Sequence, residues 1–196
     1  MGRFRGSTHL IIHCVTLKQA NYILDTVKCR MQEYELELHP DKTKIVYCRQ
    51  DGRNEEQPTG VDDKFDFLGY GFRTRTAINT KFKKAGNSFT PAISDKAKQK
   101  IKEELRKIEF QKRTGSQIED IAKFLNKRIT GWINYYGKFR KSDLCKIFQV
   151  LDNQILKWIK KKYKITSKYE AYKRLNLLKD AKIFAHFRLL PQMAKH

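Results

Sequence analysis

The segment from Arg128 to Leu144, RITGWINYYGKFRKSDL, brings aromatic and basic side chains together. Aromatic rings can stack on unpaired nucleobases, and Lys and Arg side chains can neutralise phosphate groups. The aromatic residues are Trp132, Tyr135, Tyr136 and Phe139, and the basic residues are Arg128, Lys138, Arg140 and Lys141. Residues of these types favour a nucleic-acid-binding surface, provided that the surrounding elements leave the rings and cations exposed.

A helix from Ile118 to Tyr136 is expected to position this segment. Its apolar residues recur at intervals of three and four, which places them on one helix face. They are Ile118, Ile121, Leu125, Ile129, Trp132 and Tyr136. Trp132 is therefore expected to point into a core, and Gly137 is expected to end the helix in a left-handed conformation. For Tyr135 and Phe139, exposure and burial are equal alternatives.

The chain of 196 residues carries a net charge of +21, and nearly all of this excess lies in its C-terminal part. Residues 81–196 contain 30 Lys and Arg against 10 Asp and Glu, whereas residues 1–50 contain 8 against 5 and residues 51–80 contain 4 against 6. Such an excess repels itself unless a polyanion is the usual partner, and nucleic acid is the commonest polyanion. An anionic membrane is the competing partner, but the sequence has no long apolar run.

Motifs for catalysis or metal binding are absent from the sequence. The five histidines show no spacing with Ser, Cys or Asp that is typical of hydrolases, and the four cysteines form no zinc motif. Each cysteine is expected to be a buried, reduced thiol, and the lack of a signal-peptide pattern predicts a cytoplasmic location. Asp62 and Asp63 lie in a polar stretch, where solvated acids are more common than a metal site.

The first part of the chain is expected to form a strand-helix-strand unit. The run from Leu10 to Val15 predicts a strand, Lys18 to Tyr34 predicts an amphipathic helix, and Ile45 to Cys48 predicts a second strand. Residues 49–64 are polar and rich in turn formers, which predicts a surface loop.

The alternating residues from Phe65 to Arg75, FDFLGYGFRTR, predict a hairpin. Its glycines, Gly69 and Gly71, predict close approach of another part of the chain to the backbone. A further short extended or loop segment is expected after the hairpin, ending at Pro91.

From Ser94 onward, four helices are expected to form a small bundle. The expected N-caps are Ser94, Ser142 with Asp143, and Ser167, and Gly115 with Ser116 separates the first two helices. The apolar stripe of the third helix is Leu144, Ile147, Leu151, Ile155, Trp158 and Ile159, and the fourth helix runs from Lys168 to Leu178. The expected fold class is therefore α+β, with a small sheet followed by a helical bundle.

The order of sequence blocks resembles the C-terminal part of a group II intron reverse transcriptase/maturase. The blocks are HPDKTKIVYC, FDFLGYGFRTR, FTPAISDKAKQKI, RITGWINYYGKF, LDNQILKWIKKKYK and KIFAHFRLL. The resemblance implies that residues 1–80 are the tail of a polymerase palm with a partial palm sheet. It implies that residues 81–196 are a basic, helical thumb or maturase domain that binds RNA. By the same resemblance, Phe67, Leu68, Gly69 and Tyr70 lie in a hairpin like the primer grip.

One difference from this family concerns polymerase chemistry. The family has a Tyr-Ala-Asp-Asp tetrad where this chain has Gly6, Ser7, Thr8 and His9. Ser and Thr cannot replace the carboxylates that hold magnesium, so no catalytic residue and no metal site are expected in this chain. Mg²⁺ is expected to bind only if the missing palm completes this chain.

The expected function is binding of structured intron RNA and assistance with its splicing. One alternative is a fragment of a split or truncated RNA-directed DNA polymerase that is active only with the missing palm. Another is a non-functional gene remnant. Besides intron RNA, the candidate partners are the missing palm half and a second copy of the chain, and no membrane is expected.

The residues expected to contact RNA are basic, with one exposed ring among them. They are Lys42, Lys44, Arg73, Arg75, Lys81, Lys83, Lys84, Lys127, Arg128, Tyr135, Lys138, Arg140, Lys141, Lys160, Lys161 and Lys162.

Overall fold

The computed structural model describes residues 10–49, 57–79 and 84–192, with only the backbone described at 77–79, 84–85 and 190–192. The described residues divide into two compact units. The first holds residues 10–47 and 57–63, and the second holds residues 48–49, 64–79 and 84–192. The α+β class is confirmed. The domain boundary expected at residue 80 stays a prediction.

The first unit is built around helix α1, Leu17–Glu33. The Thr16 hydroxyl accepts a hydrogen bond from the backbone N–H of Gln19 at 3.2 Å, and the Gln19 side chain accepts one from the backbone N–H of Val15 at 2.8 Å. This reciprocal pair satisfies two donors at the start of the helix. The helix expected from Lys18 to Tyr34 is thus confirmed, although none of its residues is buried.

The two strands expected on either side of α1 do not form, so the strand-helix-strand prediction is wrong. Residues 10–15 lie outside any strand, and Leu10 and Val15 are exposed. Residues 45–48 make only an isolated parallel bridge, between Val46 and Asp62. A β-branched run becomes a strand only where a neighbouring strand pairs with its backbone, and the described residues supply none here.

The second unit contains a three-stranded antiparallel sheet in the order β1-β2-β3. Its strands are β1, Lys64–Phe67, β2, Tyr70–Asn79, and β3, Lys84–Ile93. The expected hairpin is confirmed as β1 and β2, and Phe65 stacks on Phe72 across it with ring centroids 4.8 Å apart. Of the alternatives for the segment that follows, the extended one is confirmed, as the edge strand β3, which continues past Pro91 to Ile93; a proline is tolerated on an edge strand.

Four helices follow the sheet, as expected. They are α2, Asp95–Ile108, α3, Ile118–Tyr136, α4, Lys141–Lys162, and α5, Lys168–Asp180, with short 3₁₀ segments at Phe110–Lys112 and Ala185–Gln192. Ser94 and Ser167 cap α2 and α5 as predicted, because each hydroxyl accepts a backbone hydrogen bond from the helix. Ser142 does not cap α4, which begins one residue earlier and has no side-chain cap.

Gly137 follows the last residue of α3 as expected, but its backbone is not left-handed. Its φ is −77°, in the right-handed region, so the predicted conformation is wrong. A Cβ atom at this position would clash with the carbonyl oxygen of Ile133. Lack of space, and not a positive φ, therefore accounts for the glycine.

Helix α4 lies at the centre of the core of the second unit. Its predicted stripe is buried at every position, namely Leu144, Ile147, Leu151, Ile155, Trp158 and Ile159. Buried residues of the other three helices belong to the same core, and Trp132 and Tyr136 of α3 pack against it while half-buried. The inward orientation predicted for Trp132 is thus confirmed.

Buried hydrogen bonds fix α4 relative to its neighbours. The Gln154 side chain donates to the carbonyl oxygen of Leu105 at 2.9 Å, and the Trp158 indole donates to that of Arg113 at 3.0 Å. Leu105 lies in the last turn of α2, where helical carbonyls lack an internal partner, and Arg113 follows the 3₁₀ segment after α2. The end of α2 is therefore held to α4 at fixed points.

The four cysteines are free thiols, but none of them is buried. Cys29 is exposed on α1, and Cys14, Cys48 and Cys145 are half-buried. The expectation that each is buried is wrong, because three of them lie outside the helical core and Cys145 sits beside the buried stripe of α4.

Candidate nucleic-acid interface

The turn between β1 and β2 is held against the end of α3. Leu68 and Gly69 form a two-residue turn with φ values of 47° and 78°. This combination matches the twist of a hairpin, and glycine is favoured at such positions. The Tyr135 hydroxyl donates to the carbonyl oxygen of Leu68 at 2.8 Å, and the Tyr70 hydroxyl donates to that of Tyr135. The hairpin and α3 are thus linked in both directions.

Gly69 shows the close approach that was predicted at this position. A Cβ atom there would lie 2.7 Å from the hydroxyl oxygen of Tyr136. At Gly71 a Cβ atom would lie 3.1 Å from a carboxylate oxygen of Asp66 and 3.6 Å from the Cα atom of Ser94. The prediction of close backbone approach at both glycines is confirmed.

Four rings meet at this junction and are called the aromatic cluster: Tyr70, Tyr135, Tyr136 and Phe139. The Tyr70 ring centroid lies 5.4 Å from Tyr135, 5.5 Å from Tyr136 and 5.4 Å from Phe139. Burial raises the pKa values of Tyr70 and Tyr136, and neighbouring tyrosines add to the shift. A tyrosine hydroxyl is protonated at neutral pH even without such a shift, so both groups are hydrogen-bond donors there.

Two members of the aromatic cluster keep a large exposed surface. Tyr135 is 47% exposed and Phe139 is 43% exposed. Of the two alternatives drawn from the sequence, burial of both rings is therefore wrong. Both rings are available to a ligand, while Tyr70 and Tyr136 are the more buried members behind them.

A cleft of about 620 Å³ lies between β2, α2 and the start of α4, and is called the cationic cleft. Its charged lining residues are Arg73, Arg75, Lys98, Lys102, Arg140, Lys146 and Asp143. Arg73 and Arg75 are two residues apart on β2, and Lys98 and Lys102 are four residues apart on α2. Each pair therefore shares one face of its strand or helix. Six cations against one acid give these lining residues a net charge of +5, which suits a phosphate backbone.

Arg75 forms the inner wall of the cationic cleft. Its guanidinium donates to the carbonyl oxygens of Gly71 at 2.9 Å, of Arg73 at 3.3 Å and of Thr90. Burial lowers the pKa of Arg75, and the nearby charges of Arg73 and Arg140 lower it further. A guanidinium remains charged in any protein, so Arg75 stays a cation that is both partly buried and close to two other cations. An anion in the cleft would relieve the repulsion among these cations.

Asp143 partly neutralises the positive charge at one side of the cationic cleft. Its carboxylate lies 3.8 Å from the ammonium of Lys98, which also bonds Asp95 at 2.9 Å. Lys98 is thus held by two acids of the protein. Arg73, Arg140 and Lys146 are exposed at the mouth, where they can reach a ligand.

The remaining predicted RNA contacts are dispersed over the molecule. In the first unit, Lys42 is exposed and Lys44 forms an ion pair with Asp62 at 2.7 Å. Lys81 and Lys83 lie outside the described residues, and the side chain of Lys84 is not described. Their roles stay predictions.

In the second unit, several predicted contacts do not line the cationic cleft. Lys127 lines a groove between α3 and Ile183, and Arg128 lies over the Phe124 ring at 5.6 Å. Lys138 and Lys141 are exposed next to Arg140. Lys160 and Lys161 lie in the last turn of α4, where Lys162 donates to the carbonyl oxygen of Ser116 at 2.6 Å.

Sequence reasoning missed three residues of the cationic cleft, namely Lys98, Lys102 and Lys146. The spacing of Lys98 and Lys102, which flank the apolar stripe of α2, was a usable signal, because residues four apart share a helix face. Lys146 carried no such signal, since its proximity to β2 depends on how α4 packs.

The described residues contain neither a metal centre nor a membrane span. No three side chains of His, Cys, Asp or Glu among them converge closely enough to hold a metal ion. None of the described helices is long and apolar enough to cross a bilayer.

Residues 98–176 match the protein family described as the maturase-specific domain of group II introns. No curated protein and no solved structure matches the chain. The family match confirms the resemblance to the C-terminal maturase part of a group II intron reverse transcriptase/maturase over these residues. The matched stretch includes α3, α4 and four cations of the cationic cleft, namely Lys98, Lys102, Arg140 and Lys146.

Proposed function

We propose that this chain binds structured group II intron RNA through the cationic cleft and thereby assists splicing of the intron. The observation that carries the proposal is the position of the cleft. Four of its six cations lie within the stretch that matches a maturase-specific domain, and the other two come from β2 beside it. Phosphates bind to such a surface with release of counterions, without any need for base readout.

Assistance with splicing follows from the same charge. A compact RNA fold crowds phosphates together, and a rigid array of cations lowers the repulsion between them. The chain is therefore expected to accelerate splicing of a group II intron transcript most strongly when Mg²⁺ is limiting. A splicing time course with and without the chain, across a series of Mg²⁺ concentrations, measures this effect.

The site is tested by removing cations in matched pairs. The variant Lys102→Gln with Lys146→Gln removes one cleft cation from α2 and one from α4. The control, Lys100→Gln with Lys157→Gln, removes one exposed cation from each of the same helices, at positions that do not line the cleft. Both variants lose the same net charge, so a difference between them reports the location of binding.

The measurement is the affinity for a group II intron transcript at a series of salt concentrations. For the unchanged chain we expect a loss of about 10³-fold or more between about 50 and 200 mM salt if six or more phosphates are contacted. The cleft variant should bind more weakly and reduce the salt slope by about two, one for each lysine. Equal losses in the control variant would contradict the cleft as the site, and no binding at low salt would contradict the function.

A second candidate function is part of a split RNA-directed DNA polymerase. The antiparallel hairpin that contains Phe67 and Tyr70 supports it, because the family resemblance implies a primer grip at these residues. On this proposal the chain alone lacks polymerase activity, since Gly6, Ser7, Thr8 and His9 replace the acidic tetrad. Primer extension in Mg²⁺ should be absent with the chain alone and appear when a separate palm fragment is added.

A further inference from the structure

We propose that Tyr135 and Phe139 stack on unpaired nucleobases of an RNA whose backbone lies in the cationic cleft. The ligand would then be RNA at a bulge, a loop or a duplex end, and a continuous helix would bind less tightly. This inference rests on the proposed function, which it makes more specific. It starts from the two exposed rings of the aromatic cluster.

The two rings are exposed yet held in place. The Tyr70 ring is tilted at 32° to Tyr135 and meets Phe139 edge-on at 89°, so both exposed rings pack against Tyr70. The hydroxyl of Tyr135 is also fixed by its bond to Leu68. Binding a base to such rings costs little side-chain entropy, because their orientation is set before the ligand arrives.

The aromatic cluster is continuous with the cationic cleft. Phe139 is followed directly by Arg140, which lines the cleft. Tyr70 and Arg73 lie on the same strand but three residues apart, so their side chains leave opposite faces, and the connection between rings and cleft runs through Phe139 and Arg140. A strand of RNA that places a phosphate near Arg140 would therefore bring its neighbouring bases towards the exposed rings.

The chemistry of this surface selects for unpaired bases. Bases within a duplex already stack on each other and leave no face for a protein ring, whereas bases in loops and bulges do. Leu68, at the tip of the turn, is 60% exposed and adds an apolar surface beside the rings. The dense positive charge next to this patch favours a polyanion over an apolar protein partner.

The test compares two RNA hairpins that differ only in a short unpaired bulge. The variant Phe139→Ala removes one exposed ring while Tyr135 keeps its bond to Leu68. The matched control is Tyr169→Ala, which removes a ring that is 81% exposed on α5 and does not line the cleft. The unfolding temperature of each variant is measured alongside its affinities.

We expect the unchanged chain to prefer the bulged hairpin. Phe139→Ala should weaken binding of the bulged hairpin by about 5- to 100-fold, as expected for loss of one stacked base, with the paired hairpin nearly unaffected. Tyr169→Ala should change neither affinity. In the unchanged chain, a photoreactive thiouridine in the bulge should crosslink to Tyr135 or Phe139, and this measurement holds even if Phe139→Ala fails to fold.

Failure of this inference and failure of the proposed function give different results. Equal, salt-sensitive binding of both hairpins would overturn the stacking site and leave RNA binding by the cleft intact. Equal losses for both hairpins in Phe139→Ala, or crosslinks that map elsewhere, would also overturn it. If neither hairpin nor an intron transcript binds at low salt, the proposed function itself is wrong.

Discussion

At the scale of single residues, His186 is a buried titratable group whose neighbours constrain its protonation. Its Nε2 atom lies 2.9 Å from an Asp152 carboxylate oxygen, and the ring is only 3% exposed. The other ring nitrogen, Nδ1, is buried without a hydrogen-bond partner. A neutral ring that donates from Nε2 fits this site, whereas a charged ring would bury an unpaired N–H group at Nδ1.

The pKa values of the pair follow from this geometry. Burial lowers the pKa of His186 below 6.5, although Asp152 opposes the shift. For Asp152, burial raises the pKa, but the hydrogen bond from His186, together with the charge and the hydrogen bond of Lys179, outweighs it and lowers the pKa below 3.8. The unfolded chain therefore binds a proton at His186 more readily than the folded chain, so stability falls as the pH drops below about 6.5.

We predict that the unfolding temperature falls between about pH 7.5 and pH 5.5, and that His186→Gln reduces this fall. Glutamine can still donate to Asp152 but does not titrate. The effect of Asp152 is lost only at a more acidic pH, below its ordinary value of 3.8. Thermal unfolding at a series of pH values measures the fall. His39→Gln, at an exposed histidine, is the control and should keep the slope of the unchanged chain; an unaltered slope in His186→Gln would contradict the prediction.

At the scale of elements, the turn between β1 and β2 packs against the end of α3 and positions the residues of the proposed RNA-binding site. The turn places Tyr70 between Tyr135 and Phe139, and the same strand carries Arg73 into the cationic cleft. Both parts of the interface therefore depend on the conformation of Gly69. A side chain at this position meets a strained φ of 78° and the hydroxyl of Tyr136 at once.

We predict that Gly69→Ala lowers the free energy of unfolding by about 1–2 kcal/mol, the usual cost of a left-handed conformation for a residue with a Cβ atom. It should also weaken binding of a bulged RNA, because the turn positions the aromatic cluster. Urea unfolding and RNA titration measure the two effects. Gly115→Ala is the matched control, since a Cβ atom there has nothing within 4 Å. Equal stability of the two variants would show that the turn does not constrain the hairpin.

Elements stabilised by residues close in sequence could be predicted, whereas elements that need partners distant in sequence could not. The helices were predictable, because the stripe from Leu144 to Ile159 and the cap at Ser94 are local patterns. The strand expected at residues 10–15 was wrong, because strands need partners that a local pattern does not supply. The cationic cleft was predicted only in part for the same reason, since Lys146 approaches β2 through tertiary packing alone.

At the scale of the whole molecule, the net positive charge destabilises the folded state but favours binding to a polyanion. The chain has 42 Lys and Arg residues but only 21 Asp and Glu residues, so half of its cations have no acid to balance them. Folding brings these cations closer together, and the repulsion destabilises the compact state. Salt screens this repulsion over a distance of about 10 Å at 0.1 M, and it also weakens binding to a polyanion.

We therefore predict that sodium chloride raises the unfolding temperature of the free chain while it weakens binding to RNA. Between about 20 and 300 mM salt, each kcal/mol of relieved repulsion should raise the unfolding temperature by about 2–4 °C. At low salt, an intron transcript should raise it further, because a ligand that binds only the folded state stabilises that state. A scrambled transcript of equal length separates specific from general polyanion binding. A fall in the unfolding temperature with salt, in the absence of RNA, would contradict the prediction, because it would mean that attractive ion pairs outweigh the repulsion among the excess positive charges.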